Sequence, residues 1–154
     1  MDKSALKKSA LRTIELELSA VASLSARIDD SFFSACELIL NCQGRIIVMG
    51  MGKSGHIANK IAATLASTGT PAHFVHPAEA SHGDIGMVTA QDIVIAISNS
   101  GTTAEIETIL PVLKRKGVPL ISLTGNPVSL LAREATANLD ASVEQEACPL
   151  GLAP

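Results

Sequence analysis

The first quarter of the chain carries apolar side chains at helical spacing. They recur three and four positions apart, at Leu11, Ile14, Leu18, Val21 and Leu24. No Gly or Pro interrupts the stretch from Lys3 to Ile28. The pattern therefore predicts one long amphipathic helix, which either covers the chain's own sheet or packs on a partner subunit. A second helix is predicted, with Asp30 or Ser31 as its N-terminal cap and Gly44 as its stop.

From Arg45 onward, short apolar runs alternate with helical patterns. The apolar runs are residues 45–50, 72–76, 93–98, 120–124 and 139–142, and the helical patterns are residues 55–67, 103–116 and 127–135. Strands that are apolar throughout and alternate with helices are typical of a parallel sheet covered on both faces. The sequence therefore predicts an α/β fold, a three-layer αβα sandwich around a five-stranded parallel sheet of order 2-1-3-4-5, as in flavodoxin-like proteins.

Turn residues agree with this division of the chain. Asn126 followed by Pro127 predicts a capped helix start, and Gly117 predicts the end of the preceding helix. We interpret residues 1–44 as an N-terminal helical segment and residues 45–154 as the α/β part of one structural domain. The apolar end, Ala147–Pro154, contains no helix that would cover the last strand, so we expect the domain to be truncated there.

Composition narrows the class of protein. Apolar residues make up 47% and charged residues 18% of the 154 residues, which indicates a folded chain with a sizeable core. The formal net charge of −3 and the absence of Trp and Tyr argue against a nucleic-acid partner. Three cysteines without a CxxC pair predict free thiols in a reducing compartment. With no signal peptide and no membrane-length apolar run, the protein is predicted to be cytoplasmic and to have no membrane partner.

The first candidate site is the glycine-rich turn Gly50–Gly55, which follows an apolar strand and precedes a helical pattern. Backbone N–H groups at such a turn bind anions, with help from the positive end of the helix dipole. The P-loop pattern fails, because Ile47 occupies the position of its first glycine. The dinucleotide fingerprint G-x-G-x-x-G matches, but the second strand ends in His76 and Pro77 rather than in an acidic residue that would hold a ribose.

A second candidate loop follows the third strand and is rich in hydroxyl groups. Its hydroxyl-bearing residues are Ser98, Ser100, Thr102 and Thr103. Since the first and third strands are neighbours in the predicted order, both loops converge at the carboxyl edge of the sheet. Four hydroxyls suit a small phosphorylated ligand better than a pyrophosphate. The alternative is that Thr102 caps the next helix and Glu105 completes a capping box, which leaves Ser98 and Ser100 unexplained.

With these two loops the chain resembles the sugar isomerase (SIS) domain and, more narrowly, the arabinose 5-phosphate isomerase family. The resemblance runs from about Gly44 to Pro154. Beyond the two loops it includes the segments Thr68–Pro71, Phe74–Pro77, His82–Val88 and Glu146–Pro154. The hydroxyl-rich loop is common to the whole superfamily, whereas the segments at His82 and Glu146 point to the narrower family.

The resemblance implies reversible conversion of D-arabinose 5-phosphate to D-ribulose 5-phosphate through an enediol, a step that feeds synthesis of the lipopolysaccharide sugar Kdo. It also implies a homotetramer and a small-molecule sugar phosphate as substrate. No cofactor is required, and zinc is implied as an inhibitor. Full-length relatives commonly carry a pair of CBS modules, and a downstream active-site histidine of the family is not part of this sequence.

Three residues are candidates for catalysis: Lys53, Glu105 and Glu146. A carboxylate suits the base that moves a proton between C1 and C2, because burial raises its pKa toward neutrality. The resemblance favours Glu146 for this role; taken alone, Glu146 reads as a solvated loop carboxylate. Glu105 shares the work or orients the sugar, and Lys53 holds the phosphate or stabilises the enediolate oxygen.

The resemblance also implies residues that contact the substrate or a metal. The predicted substrate contacts are Ser54, Gly69, Thr70, His82, Ser98, Ser100, Thr102 and Thr103. His76 matches a zinc-binding position, although with His73 alone it lacks the three or four ligands of a structural zinc site. The alternative function is a non-catalytic sugar-phosphate-binding regulatory domain on the same fold, and a dinucleotide-dependent oxidoreductase is the third possibility.

Overall fold

A computed structural model describes residues 2–150 of the chain. Met1 and residues 151–154, which include the end of the Glu146–Pro154 segment singled out above, lie outside the described residues. The chain divides into two units. One comprises Asp29–Ser142, and the other comprises the described residues of Met1–Ile28 and Val143–Pro154. Within residues 2–150, no helix has both the length and the apolar character needed to cross a membrane.

Five apolar runs in the larger unit form one parallel sheet. The strands are β1 (Ile46–Gly50), β2 (Ala72–Phe74), β3 (Ile93–Ile97), β4 (Leu120–Thr124) and β5 (Ala137–Asp140). Their spatial order is β2-β1-β3-β4-β5, and every neighbouring pair is parallel. The predicted fold and strand order are confirmed. The order reverses between β1 and β3, which is where ligands bind in open parallel sheets.

Six α-helices lie in the described part of the chain. They are α1 (Lys3–Ser23), α2 (Asp30–Leu40), α3 (Gly52–Ser67), α4 (Pro77–His82), α5 (Ala104–Lys116) and α6 (Leu130–Glu134). Two short 3₁₀ turns, Leu24–Arg27 and Asp84–Met87, follow α1 and α4. Gly117 ends α5 in the left-handed conformation with φ 69°, as predicted from its position.

Alternate residues of each strand face opposite layers of helices. Ile46 and Val48 of β1 belong to a cluster of buried residues that includes parts of α2 and α3. Ile47 and Met49 belong to a second cluster on the other face, built from α4, α5 and α6. All four side chains are fully buried, because a parallel strand in the middle of the sheet is covered on both sides.

Helix α1 belongs to the smaller unit and has no buried residue. The predicted apolar stripe is present, and its side chains are between 41% (Leu24) and 65% (Val21) exposed. Beside a different face of this helix, Leu16 and Ala20 line a small cavity with residues of the C-terminal segment. The apolar stripe is therefore left open to solvent.

Several predicted helix boundaries are wrong because a different residue forms the cap. Helix α2 is capped by the side chain of Asp29, and it ends at Leu40 rather than at Gly44. Helix α6 is capped by Ser129, whose hydroxyl accepts from the Ala132 N–H at 3.3 Å. Asn126 instead closes a local turn, with its side-chain oxygen 3.2 Å from the Val128 nitrogen. The predicted start at Pro127 is therefore wrong.

Candidate active site

The two loops singled out in the sequence begin side by side at the carboxyl edge of the sheet. Gly50 at the end of β1 is paired in register with Ile97 at the end of β3. Adjacent parallel strands lie about 4.8 Å apart, so the turn into α3 and the turn into α5 open on one crevice. The expected convergence of the two loops is therefore present in the fold.

The glycines of the first turn allow α3 to approach β1 closely. A Cβ on Gly55 would lie 2.7 Å from the Gly50 carbonyl oxygen, and a Cβ on Gly50 would lie 2.7 Å from the Ser54 backbone. Gly52 has φ 52°, in the left-handed region that glycine tolerates best. The turn therefore requires glycine at three positions for backbone reasons alone, whatever ligand it holds.

Lys53 and Ser54 are the second and third residues of α3, directly after this turn. The residue preceding the helix, Met51, has no side chain that can cap it, and no side-chain hydrogen bond is made at this helix start. Lys53 is exposed and Ser54 is half-buried. Free backbone N–H groups, a hydroxyl and an ammonium group thus share one helix N-terminus, which is a favourable arrangement for an anion.

The hydroxyl groups of the second loop hold its shape. The buried Ser98 hydroxyl accepts from the Gly101 N–H at 3.1 Å and lies 2.7 Å from the Thr103 hydroxyl. The exposed Ser100 hydroxyl accepts from both the N–H and the hydroxyl of Thr102, at 3.3 and 3.1 Å. Two of the four hydroxyl-bearing residues, Ser100 and Thr102, are therefore open to solvent at the loop tip.

The capping-box alternative for this loop is wrong. Thr103, not Thr102, precedes α5; its hydroxyl makes no cap hydrogen bond and lies 2.7 Å from the Ser98 hydroxyl. Glu105 is half-buried in the first turn of α5, where a carboxylate is stabilised by the helix dipole.

The helices that begin at the crevice differ from the others in lacking a side-chain cap. Among the six α-helices of residues 2–150, four are capped by a side chain: Asp2, Asp29, His76 and Ser129. The two without a side-chain cap are α3 and α5, the helices that begin at β1 and β3. The first amides of both helices are thus left without a side-chain acceptor at the same edge of the sheet, where a bound anion would accept from them.

A third loop supports the second and was missed in the sequence. After β4, the Gly125 N–H and the buried Thr124 hydroxyl both donate to the Asn99 carbonyl, at 2.9 and 3.2 Å. A Cβ on Gly101, whose φ is 65°, would overlap the Ser129 hydroxyl. The predicted strand order could have indicated this loop, because β4 is the next neighbour of β3 and the loop after β4 must open at the same edge of the sheet.

The two histidines of the α4 region differ in their surroundings. His76 caps α4, with its Nδ1 accepting from the Ala78 N–H at 3.3 Å, and His82 is exposed at the other end of the same short helix. No group of three or more His, Cys, Asp or Glu side chains suited to a metal is found among the residues that the structure describes. One chain therefore offers His76 as a single ligand, which does not make up a zinc site.

Two of the predicted site residues are not brought to this crevice. Gly69 and Thr70 follow the C-terminal end of α3 and precede β2, so they lie at the amino edge, at the opposite end of the sheet. Glu146 belongs to the smaller unit, where it is half-buried and lines a cavity of about 100 Å³ with Leu16 and Ala20 of α1.

Comparison with known proteins matches the chain to a described family. The family model described as SIS domain matches residues 39–154. The arabinose 5-phosphate isomerase KdsD of Pseudomonas aeruginosa is 68% identical over 146 residues, which cover 95% of this chain and 45% of that protein. KdsD of Escherichia coli K12 is 58% identical over 141 residues, covering 92% of this chain and 43% of that protein. The chain thus spans less than half the length of these curated relatives.

One solved structure adds a ligand to this comparison. The protein c3406 of E. coli CFT073, solved in complex with A5P, has a TM-score of 0.88 and 45% sequence identity to this chain. The similarity covers 100% of this chain and 82% of that one.

Proposed function

The chain belongs to the SIS domain family, and on that premise we propose that it is the isomerase domain of an arabinose 5-phosphate isomerase. The proposed reaction interconverts D-arabinose 5-phosphate and D-ribulose 5-phosphate in the cytoplasm and feeds synthesis of the lipopolysaccharide sugar Kdo. Two kinds of relative support it: proteins named for this activity, and a solved structure that holds A5P. The observation that carries the proposal is the pair of uncapped helix starts at the β1–β3 crevice.

The phosphate of the sugar is assigned to this pair of helix starts. First-turn amides of α3 and α5 donate to it, and the hydroxyls of Ser54, Ser100 and Thr102 supply further donors within reach of the same edge. Ser98 and Thr103 hold the second loop in shape by bonding to each other. Because an anion at a helix N-terminus also interacts with the helix dipole, two such ends suit a phosphate dianion.

The isomerisation requires one base and one stabiliser of negative charge. After ring opening, the base removes the proton from C2 and returns it to C1, while the O2 hydroxyl proton passes to O1, so the aldose becomes a ketose through an enediol. We assign the base to Glu146, the orientation of the sugar to Glu105 and stabilisation of the enediolate oxygen to Lys53. Substrate contacts at His82, Gly69 and Thr70 remain predictions of the family resemblance.

The test is turnover of D-arabinose 5-phosphate, followed as ketose formation in the full-length protein. Lys53→Ala and Glu146→Gln are expected to lower kcat/KM by at least about 100-fold, the scale of losing a general acid–base or electrostatic group. Lys60→Ala, two turns further along α3, and Glu144→Gln, in the same C-terminal segment, are the matched controls, and both residues are exposed. Wild-type rates in either test variant would refute the role of that residue.

The same experiment separates the alternative functions. Binding of D-arabinose 5-phosphate without ketose formation, with the full-length protein, would support the regulatory sugar-phosphate-binding domain instead. Stabilisation by NAD and not by the sugar phosphate would support the oxidoreductase, for which the crevice offers the glycine turn alone.

We also propose that the protein assembles as a homotetramer. The apolar stripe of α1 supports this, since five large side chains at helical spacing lie open to solvent in one chain. Phe33 and Leu40 of α2, which are 56% and 83% exposed, add a second apolar surface. Light scattering should give four times the chain mass, and Leu18→Lys should lower that mass. A monomer in the wild type would refute the proposal.

No cofactor is required in the proposed reaction, and zinc acts as an inhibitor. EDTA should leave turnover unchanged, and micromolar Zn²⁺ should lower it. His76→Asn retains a side chain that caps α4 and removes the imidazole, so it separates the metal role from the structural one. Equal zinc inhibition of the variant and the wild type would exclude His76 as the ligand.

A further inference from the structure

Two cations hold three consecutive carbonyl groups at the end of the turn that follows α4. Lys116 Nζ donates to the Val88 carbonyl at 2.8 Å and to the Gly86 carbonyl at 3.5 Å. Arg45 Nη2 donates to the Met87 carbonyl at 3.0 Å. These carbonyls close the 3₁₀ turn Asp84–Met87, where a helical segment runs out of internal donors.

The buried carboxylate of Asp92 in turn holds Arg45 in place. Asp92 is 2% exposed, and its Oδ1 accepts from the Arg45 N–H at 2.8 Å and lies 3.6 Å from Arg45 Nε. Its other oxygen accepts from the N–H and the hydroxyl of Thr89, at 2.8 and 3.1 Å. The start of β1, the start of β3 and the segment before β3 are thus joined through one side chain.

The segment between these anchors carries His82. At its beginning, His76 caps α4 and the Val75 N–H donates to the Val48 carbonyl at 3.0 Å, which ties the chain to β1. At its end, Lys116 and Arg45 hold the carbonyls of residues 86–88. Between them Gly83 adopts φ 142°, and residues 81–84 are all exposed. The segment from Val75 to Val88 is therefore anchored at both ends, and the beginning of the His82 turn (residues 82–88) lies in its exposed middle.

We propose that Lys116 and Arg45 are positioning residues that hold the His82 turn in the geometry used for the sugar phosphate. This inference rests on the proposed function, because it assigns His82 a contact with the substrate. Charge-assisted hydrogen bonds from a cation to a carbonyl are stronger than neutral ones, and Lys116 makes two of them from a half-buried position. Neither cation contacts the substrate.

The experiment compares Lys116→Met with Lys114→Met in the full-length protein. Lys114 lies two residues earlier on α5 and pairs with Glu134, but its side chain is 75% exposed, so its loss removes an ion pair of little energetic value. Lys116→Met should raise hydrogen exchange of the Gly86 and Val88 amides about tenfold, the scale of losing a charge-assisted bond. It should raise KM for D-arabinose 5-phosphate severalfold and leave kcat within twofold.

Two outcomes would overturn the proposal. A failure of the proposed function itself would be recognised separately, from an inactive wild type. Unchanged exchange in residues 82–88 would show that the two cations do not hold the turn. Faster exchange with unchanged KM would show a structural contact without a positioning role. Lys116→Arg should restore both readouts, because a guanidinium reaches the same carbonyls. If the wild type shows no turnover at all, the proposed function and the positioning role fail together. The exchange result still decides whether Lys116 holds the carbonyls of the His82 turn.

Discussion

The hydroxyl oxygens of Ser98 and Thr103 lie 2.7 Å apart across the turn between β3 and α5. Thr103 occupies the capping position of α5, but its hydroxyl makes no cap hydrogen bond there. The first amides of α5 therefore remain available to a ligand. A hydroxyl that would stabilise the helix elsewhere serves here to shape the loop.

We predict that Ser98→Ala weakens binding of D-arabinose 5-phosphate about tenfold. The change frees the Thr103 hydroxyl to accept from the helix amides, and it removes one of two acceptors for the Gly101 N–H. Calorimetric titration measures the affinity, with Ser67→Ala at the exposed far end of α3 as control. The loss corresponds to about 1.4 kcal/mol, within the range for one hydrogen-bonded group.

A double-mutant cycle decides whether the pair acts as a unit. If Ser98 and Thr103 support the phosphate through each other, the double variant Ser98→Ala, Thr103→Val should be no worse than the more damaging single variant. Additive losses would mean that each hydroxyl contacts the ligand separately, and would contradict the shaping role.

The fold could be predicted from the sequence because its strands are apolar throughout and helices separate them. The polar residue that caps each helix could not be predicted in the same way. Asp29, Asp30 and Ser31 are all possible caps, and only the packed structure shows that Asp29 takes that role. Helix α4 was not anticipated, because six residues are too few to show a period.

The candidate site was predicted in part, for a similar reason. Strand order alone places the Gly50 turn beside the Ser98 loop, and both residues were identified. Whether Thr102 or Thr103 precedes α5 depends on the partner of each hydroxyl, which the sequence does not show. Gly69 and Thr70 entered through family resemblance, with no strand-edge argument, and they lie at the other end of the sheet.

Comparing Gly101 with Gly117 separates the stability cost of close packing at the site from the cost of backbone strain. Both have positive φ, 65° and 69°, but a Cβ on Gly101 would overlap Ser129 whereas a Cβ on Gly117 would meet nothing within 4 Å. Gly117→Ala should lower the free energy of unfolding by about 1 kcal/mol from backbone strain alone. Gly101→Ala should cost about 3 kcal/mol, since overlap adds to strain. Urea unfolding measures both free energies. Equal losses of stability in the two variants would contradict the close approach of Gly101 to Ser129.

The carboxyl of Asp92 predicts how stability changes with acid. Its burial raises the pKa, but hydrogen bonds from the Thr89 and Arg45 backbones and side chains outweigh burial and hold the pKa below its ordinary value of 3.8. A carboxyl with a lowered folded-state pKa stabilises the fold fully above the unfolded-state pKa. That contribution is lost as the pH falls below about 4 and through the folded-state pKa.

Asp92→Asn should therefore lower the free energy of unfolding at pH 7 by about 2 kcal/mol, because it breaks a buried set of hydrogen bonds to a charge. The gap between wild type and variant should narrow as the pH falls below about 4, since the wild type then loses the contribution that the variant lacks. Urea unfolding at pH 7, 5, 4 and 3 measures the gap. Asp84→Asn, at an exposed position, is the matched control. An unchanging gap for Asp92→Asn would mean that the charge of this carboxylate does not stabilise the fold, and that its hydrogen bonds serve equally well when it is neutral.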